Sequence, residues 1–487
     1  MIEPLYALIA AMIASCIACI ALRNRPCVTW VMPACTCVFL VLTLFLCIPV
    51  LDGEVIDEGM FYMDPLSAVF MMLVAVVGCM ASVYSRAYMG LENEEGLVNK
   101  RELGQYYSLL IVFISVMLLT FTARSMAIVW LGIGATTLVS TFLVGFYSRE
   151  ESTEAAWKYI ILCSVGITIA LAGYALVYAS TIGVIDAEAA LDWPALMAAA
   201  EDLDPAMMKM AMVMIIVGFG TKVGFVPMHT WLPDAHSQAP SPVSGLLSAV
   251  LLNCAMYGIL RFYAVSEITI PGFASTILLV FGLLSLAVSA LFIVSSRDLK
   301  RMLAYSSIEN MGLIAIGFGI GTPLAMLGAV IQMVAHSVTK PILFFSAGNI
   351  IQSYGTRDMS RIRGVGRTLP TTSALMTIGT LAIIGSPPFA VFIGEFTLLK
   401  GSLEAGMVWL TVAMVVLLCI VFAGFTRNVF PMITGEPVDE VEAHGSPSRH
   451  IPLIVLATVS LLIGLFMPEQ VVGWFGNAAD SLMGVFL

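Results

Sequence analysis

Four ionisable side chains stand where apolar helices rarely carry them: Lys222, His336, Lys340 and Glu395, with Asn253 as a polar companion. Lys222 lies near the end of the run Met210 to Pro227, MAMVMIIVGFGTKVGFVP, framed by Gly218, Gly220 and Gly224. A charge at bilayer depth costs roughly 2.5 to 3.5 kcal/mol on insertion scales, so it persists where a polar partner, water or function compensates it. His336 and Lys340 are four apart and share one helix face. Burial disfavours the charged form of lysines and carboxylates alike and brings such groups toward proton exchange near neutral pH. A row of them is what a water-linked proton relay requires. His229 and the Asp234 to His236 stretch follow in the polar loop HTWLPDAHSQAP. Their setting favours capping and loop order over direct relay. Asp64 before Pro65 suits a helix cap, with an acceptor at the cap and proline at the first helical position.

The elements that must hold these groups are membrane helices. The chain has 487 residues, of which 60% are hydrophobic and only 11% charged, far more apolar than a soluble domain needs. A run of about 20 apolar residues crosses a bilayer as a helix. Such runs begin near residues 3, 28, 61, 106, 126, 157, 207, 240, 273, 302, 323, 371, 406 and 452. They are continuously apolar and do not alternate, which argues for helices and against a barrel. The expectation is an all-α polytopic membrane protein of about 14 transmembrane helices. The first run, Pro4 to Leu22, lacks a basic start and reads as a retained helix, not a cleaved signal.

Arginine and lysine in the short loops set the orientation. The odd-numbered loops hold 16 of the 22, among them Arg86, Arg149, Arg301 and the Arg357 to Arg367 group; the even-numbered loops and their margins hold Arg124, Lys209, Arg261 and Lys400, and Lys222 and Lys340 lie within spans. Both termini are therefore expected on the non-cytoplasmic side of the cell membrane. The net charge of −10 comes largely from acidic loops such as Glu92 to Glu95 and Asp186 to Asp204. The expected surroundings are a lipid bilayer, and nothing suggests nucleic acid.

Glycine and proline interrupt two runs. The seventh breaks around Gly218 to Pro227, and the twelfth around Gly385, Ser386, Pro387 and Pro388. Broken backbone at membrane depth is tolerated where it is buried in protein or lines a wet cavity. Breaks five spans apart suit two inverted five-helix repeats and point to a transport path. The expected divisions are 1–105 for helices 1 to 3, 106–265 for the first repeat (helices 4 to 8), 266–432 for the second (helices 9 to 13), and 433–487 for a cytoplasmic loop and helix 14.

The ten cysteines lie nearly all inside or beside apolar runs. Cys16 and Cys19 have CxxC spacing, yet they sit mid-helix with no second pair in a polar loop, so small apolar packing residues are the better reading. The sequence also contains no phosphate loop and no dinucleotide fingerprint. Neither metal nor cofactor is expected in this chain.

The stretch Gly220 to Phe262, GTKVGFVPMHTWLPDAHSQAPSPVSGLLSAVLLNCAMYGILRF, resembles the signature of the antiporter-like, proton-translocating membrane subunits of respiratory complex I and Mrp-type cation/proton antiporters. MDPLSAVF at Met63, RDLKRMLAYSSIENMG at Arg297 and HSVTKPILFFSAGN at His336 extend the likeness over essentially the whole chain. Within that family, ATTLVSTFLVGFY at Ala135 and EAAWKYIILCSVGI at Glu154 resemble the F-type membrane component of hydrogenase-4 in particular. The resemblance implies a relay through Lys222, His336, Lys340 and Glu395. It also implies partner membrane subunits, and soluble hydrogenase-like and iron-sulfur subunits carrying [NiFe] and iron-sulfur centres.

Two positions depart from that pattern. Asn253 stands where complex I relatives carry a lysine, a change that looks usual for the hydrogenase-type branch. The family generally pairs the seventh-span lysine with a fifth-span glutamate in wording like GIEATTL, whereas this chain reads GIGATTL with Gly134 in that place. Either another acid substitutes, with Glu154 and Glu309 as candidates, or this half-channel is altered or silent. The function expected is proton or sodium translocation within a membrane-bound hydrogenase or complex I-like oxidoreductase. A non-pumping scaffold subunit and a multi-subunit cation/proton antiporter without redox partners are the alternatives. A membrane potential of 100 mV opposes each charge by about 2.3 kcal/mol. A shift of two pKa units supplies about 2.7 kcal/mol, enough to matter.

Overall fold

A computed structural model describes residues 2–437 and 447–484. Thirteen helices among these residues are long and apolar enough to cross a membrane. The twelfth run folds instead as two shorter helices, Pro370–Ile383 and Ala390–Glu404, of 14 and 15 residues, neither long enough to cross alone. The loop expected within 433–487 falls at 438–446, outside the described residues.

The third run needs a correction. Its helix spans Pro65–Glu94 and does not start near residue 61, because Ile56–Glu58 and Phe61–Met63 pair as a small antiparallel hairpin. Asp64 then caps the helix, its carboxylate accepting from the Ser67 amide at 2.9 Å. The same carboxylate takes a bidentate ion pair from Arg261 at 2.6 and 2.7 Å, with both residues buried. Arg261 is thus no loop-margin residue: it pins the start of the third helix to the eighth, and burial makes that pairing obligatory. Glu92 is likewise not a free loop acid. The last turns of the 30-residue helix carry it inward, where Tyr147 donates to it at 2.7 Å.

The seventh helix, Pro205–Val223, stops at Gly224, whose φ of 90° is a left-handed conformation that glycine takes without strain. A turn at Met228–Thr230 and a second helix, Trp231–Gln238, follow. Gly385, at φ 66°, ends the first half of the twelfth run in the same manner.

Burial orders the bundle. In their most apolar 18-residue stretches every residue of Ser241–Thr269 and 94% of those of Leu299–Ile320 and Pro323–Tyr354 are buried, against 28% for Val408–Thr434 and Ile2–Ala21. Helices apolar on all faces and enclosed by others form the axis, and the outer ones present their apolar faces to lipid. The central Ser241–Thr269 segment contains a π-helical turn at Leu247–Leu251. Such a turn loosens the regular backbone ladder and leaves carbonyls for side chains. Beyond Leu465 the chain forms one more helix, Glu469–Asp480, which docks on the end of the second helix through Trp474 to Asp52 at 2.6 Å.

Candidate functional site

Lys222 occupies the last turn of its half-helix and is fully buried. Its ammonium donates to the Ile133 carbonyl at 2.5 Å, to Thr136 Oγ1 at 2.6 Å and to Thr137 Oγ1 at 2.5 Å. One turn of the Met126–Val144 helix therefore supplies the whole cradle. Among the described residues the titratable groups that act on Lys222 are the thiols of Cys163 and Cys254, with no carboxylate among them. Gly134 sits within the cradle's own turn, and a Cβ placed there would meet only Ile167 Cγ2, at 4.0 Å. The place of the missing acid is sterically open.

Neither candidate acid fills it. Glu154 is exposed and pairs with Lys158 at 2.6 Å, one turn along its own helix. Lys158 also reaches Asp234 at 3.1 Å, and Arg301 reaches the same carboxylate at 2.5 Å, so Asp234 ties loops at the surface. Glu309 is buried, but it belongs to the second lysine.

Lys340, also fully buried, donates to the Leu303 carbonyl at 2.8 Å and to Ser306 Oγ. Here the charged neighbour is a carboxylate, Glu309, one turn along from Ser306. Glu309 Oε2 accepts from Asn310 at 2.6 Å, and Asn310 accepts from Gln332 at 2.7 Å. Glu395 is the next acid, an electrostatic neighbour of Glu309. A Cβ on Gly385 would strike the Glu395 carboxylate, so the glycine that breaks the twelfth run also makes room for the acid. Glu309 Oε1 and Glu395 Oε1 have no protein partner among the described residues, and buried oxygens of this kind call for water.

The π-helical turn places polar groups beside His336, on the Lys340 side of the interior. His336 Nε2 lies 3.2 Å from the Ser248 carbonyl, and Ser248 Oγ contacts Ser307 Oγ at 2.7 Å. Asn253 donates to Ser337 Oγ at 2.8 Å and to the Ala249 carbonyl at 2.9 Å. His236 is buried and stacked on Phe344 at 5.2 Å between ring centroids, with neither ring nitrogen bonded among the described residues. Its ring is turned inward against the Pro323–Tyr354 helix. His229 lies near the Tyr305 ring, 6.3 Å between centroids.

Sequence reading missed Thr136, Thr137, Ser306, Ser248 and Gln332, because hydroxyls and amides are common enough in apolar helices to carry no signal there. Their signal is spacing: Thr136, Thr137 and Ser140 mark one helix face. Among the described residues no three His, Cys, Asp or Glu side chains gather as a metal site.

A bundle of long apolar helices, two of them broken, wrapped around buried lysines and carboxylates, defines an antiporter-like membrane subunit. The comparisons agree: the model "NADH:quinone oxidoreductase/Mrp antiporter, TM" matches residues 123–421, and the N-terminal model of complex I chain 5 matches 59–97. The chain belongs to this complex I/Mrp antiporter-like family and is a multi-pass integral membrane protein. The hydrogenase-4 component F homolog of Methylacidiphilum infernorum is 35% identical over 87% of this chain and 88% of its own length. NADH-quinone oxidoreductase subunit N of Desulforudis audaxviator is 30% identical over 84% and 82%. A chain of the membrane-bound sulfane sulfur reductase, an archaeal respiratory complex, superposes with a TM-score of 0.88 at 21% identity, covering 99% of this chain and 98% of that one. A chain of the Mrp complex from Dietzia sp. does so at 0.85 and 19%, covering 98% and 96%. At these identities the structural likeness speaks for the fold alone.

Proposed function

We propose that this chain translocates protons or sodium ions as a subunit of a membrane-bound hydrogenase or complex I-like oxidoreductase, coupling electron transfer in partner subunits to ion movement. The observation that carries the reading is the buried row Lys340, Glu309 and Glu395 beside a broken helix, with His336 and Lys222 along the same interior. Ionisable groups at membrane depth are costly, and a row of them has no packing purpose.

In this scheme electron transfer in a partner shifts charge at one end of the row. Lys340 and Glu309 then change protonation in turn, and Glu395 passes the ion to or from water at the second break. His336 joins this row through the Ser248 carbonyl and the Ser248–Ser307 contact of the π-helical turn. The two breaks correspond across the proposed inverted repeats, 106–265 and 266–432, within about 14 crossings. Under that correspondence Lys222 stands opposite Glu395, and Gly134 opposite Glu309. The arginine-rich loops would face the cytoplasm and both termini the other side of the cell membrane. The [NiFe] and iron-sulfur centres would belong to soluble partners.

A second reading has one specific support. With no carboxylate acting on Lys222, the first half fits a scaffold or a silent channel. Ion uptake by vesicles holding the whole complex separates the readings. Substrate-driven uptake that falls in Lys340→Ala while electron transfer persists supports translocation. Unchanged uptake in both Lys340→Ala and Lys222→Ala leaves only the scaffold, and copurification without iron-sulfur or nickel subunits would favour a free-standing antiporter.

A further inference from the structure

Away from the axis, at the arginine-rich end of the bundle, a cavity of about 540 Å³ is lined by Arg25, Arg86, Lys100 and Arg449, with Glu94 as its single carboxylate among the described residues. None of the four cations forms an ion pair with a carboxylate among the described residues. Arg86 sits over Trp30, its guanidinium carbon 3.3 Å from the ring centroid. Arg449 is only 2% exposed; its Nη2 donates to Gln352 at 2.9 Å and to the Ala87 carbonyl at 3.3 Å, while its Nη1 has no partner among the described residues. A buried guanidinium with a free donor is expensive unless an acceptor completes it. The first turns of the Val28–Leu51 and Lys100–Thr120 helices also line the cavity and add their positive N-terminal ends.

We propose that this cavity binds a phosphate group, carried by the headgroup of an acidic phospholipid or free in solution. A guanidinium fork and several clustered cations match a phosphate's oxygens and charge. The apolar outer face of the Val28–Leu51 helix runs away from the cavity, with Val38, Val41 and Phe45 exposed, and acyl chains can lie along it. This site does not depend on the relay and would persist if the chain moved no ions.

The test uses the full chain in nanodiscs of equal parts phosphatidylcholine and phosphatidylglycerol, with retained lipid read by native mass spectrometry. Each basic residue near an anionic lipid contributes about fivefold in affinity. The surface pair Arg25→Gln with Lys100→Gln should therefore lower retained phosphatidylglycerol at least about tenfold and leave phosphatidylcholine unchanged. Arg449→Gln should do the same, but it also removes the Gln352 hydrogen bond and can unfold the chain, so the surface pair carries the test. A second arm measures thermal stability in sodium phosphate against sodium chloride at matched ionic strength. A phosphate-specific rise, lost in the surface pair, supports the site and assigns it to the free anion. Equal retention of the two lipids with no phosphate response overturns the proposal, as does a preference that survives the double substitution.

Discussion

Lys222 and Lys340 are equally buried, and each is held by a backbone carbonyl and hydroxyl oxygen from one turn of a neighbouring helix, two hydroxyls for Lys222 and one for Lys340; their further surroundings differ. Around Lys222 every direct hydrogen-bond partner is neutral, and the titratable neighbours are thiols. Lys340 is followed by Glu309 and then Glu395. Hydroxyls and carbonyls can solvate an ammonium, but they do not change charge in response to it. A carboxylate can. A shift in field at Lys340 can therefore be handed on as a change in protonation, whereas at Lys222 it meets no carboxylate among the described residues. In the scheme proposed above, the second half can pass on a charge change, whereas the first offers Lys222 only neutral hydrogen-bond partners.

The hardest blow to this comparison would come from Lys340→Ala. It removes one partner of the buried row, and uptake of ions per electron in vesicles of the whole complex should fall at least about tenfold, in keeping with loss of a proton-transfer group. Lys222→Ala should cost less than about 1 kcal/mol of barrier, a factor of about five. The cradle survives that change, because Thr136 already donates to the Ile133 carbonyl at 2.7 Å and Thr137 to the same oxygen at 3.3 Å. Equal losses in the two variants would mean that both halves conduct and that the missing acid is immaterial.

How much of this difference a sequence can reveal depends on how unusual each residue is for its surroundings. Lys222, Lys340, His336 and Glu395 stand out because apolar helices exclude such groups, and the breaks stand out because glycine and proline punctuate otherwise continuous runs. Gly134 shows by its place in GIGATTL. The partners are another matter. Arg261 and Asp64 are 197 positions apart, and no local pattern links them. Glu92 sits in an acidic stretch and reads as solvated until the helix phase turns it inward. The π-helical turn leaves no mark either, since LSAVL looks like any helical stretch, yet its carbonyls place His336 and Ser337. Composition reports what is costly; it does not report what relieves the cost.

Gly134→Glu sharpens the comparison by giving the first half what the second already has. The Cβ fits, since Ile167 Cγ2 at 4.0 Å is its only close neighbour, and the substituted position belongs to the turn that cradles Lys222. Uptake per electron should rise by up to about threefold, less than 1 kcal/mol in barrier terms. No gain would show that the first half is closed for some reason other than the absent acid.

The smallest effect belongs to Gly134→Ala, which adds the Cβ and no charge. Gly134 lies inside the Met126–Val144 helix without a left-handed φ, so an alanine removes the entropy that glycine loses on folding. Stability should rise by about 0.5 to 1 kcal/mol, visible as a small upward shift in thermal unfolding, and uptake should not change. The alanine variant thereby separates space from charge. If it matches Gly134→Glu in uptake, helix order and not the carboxylate is what the first half lacks, and the contrast between the two lysines would rest on backbone rigidity instead of ionisable neighbours.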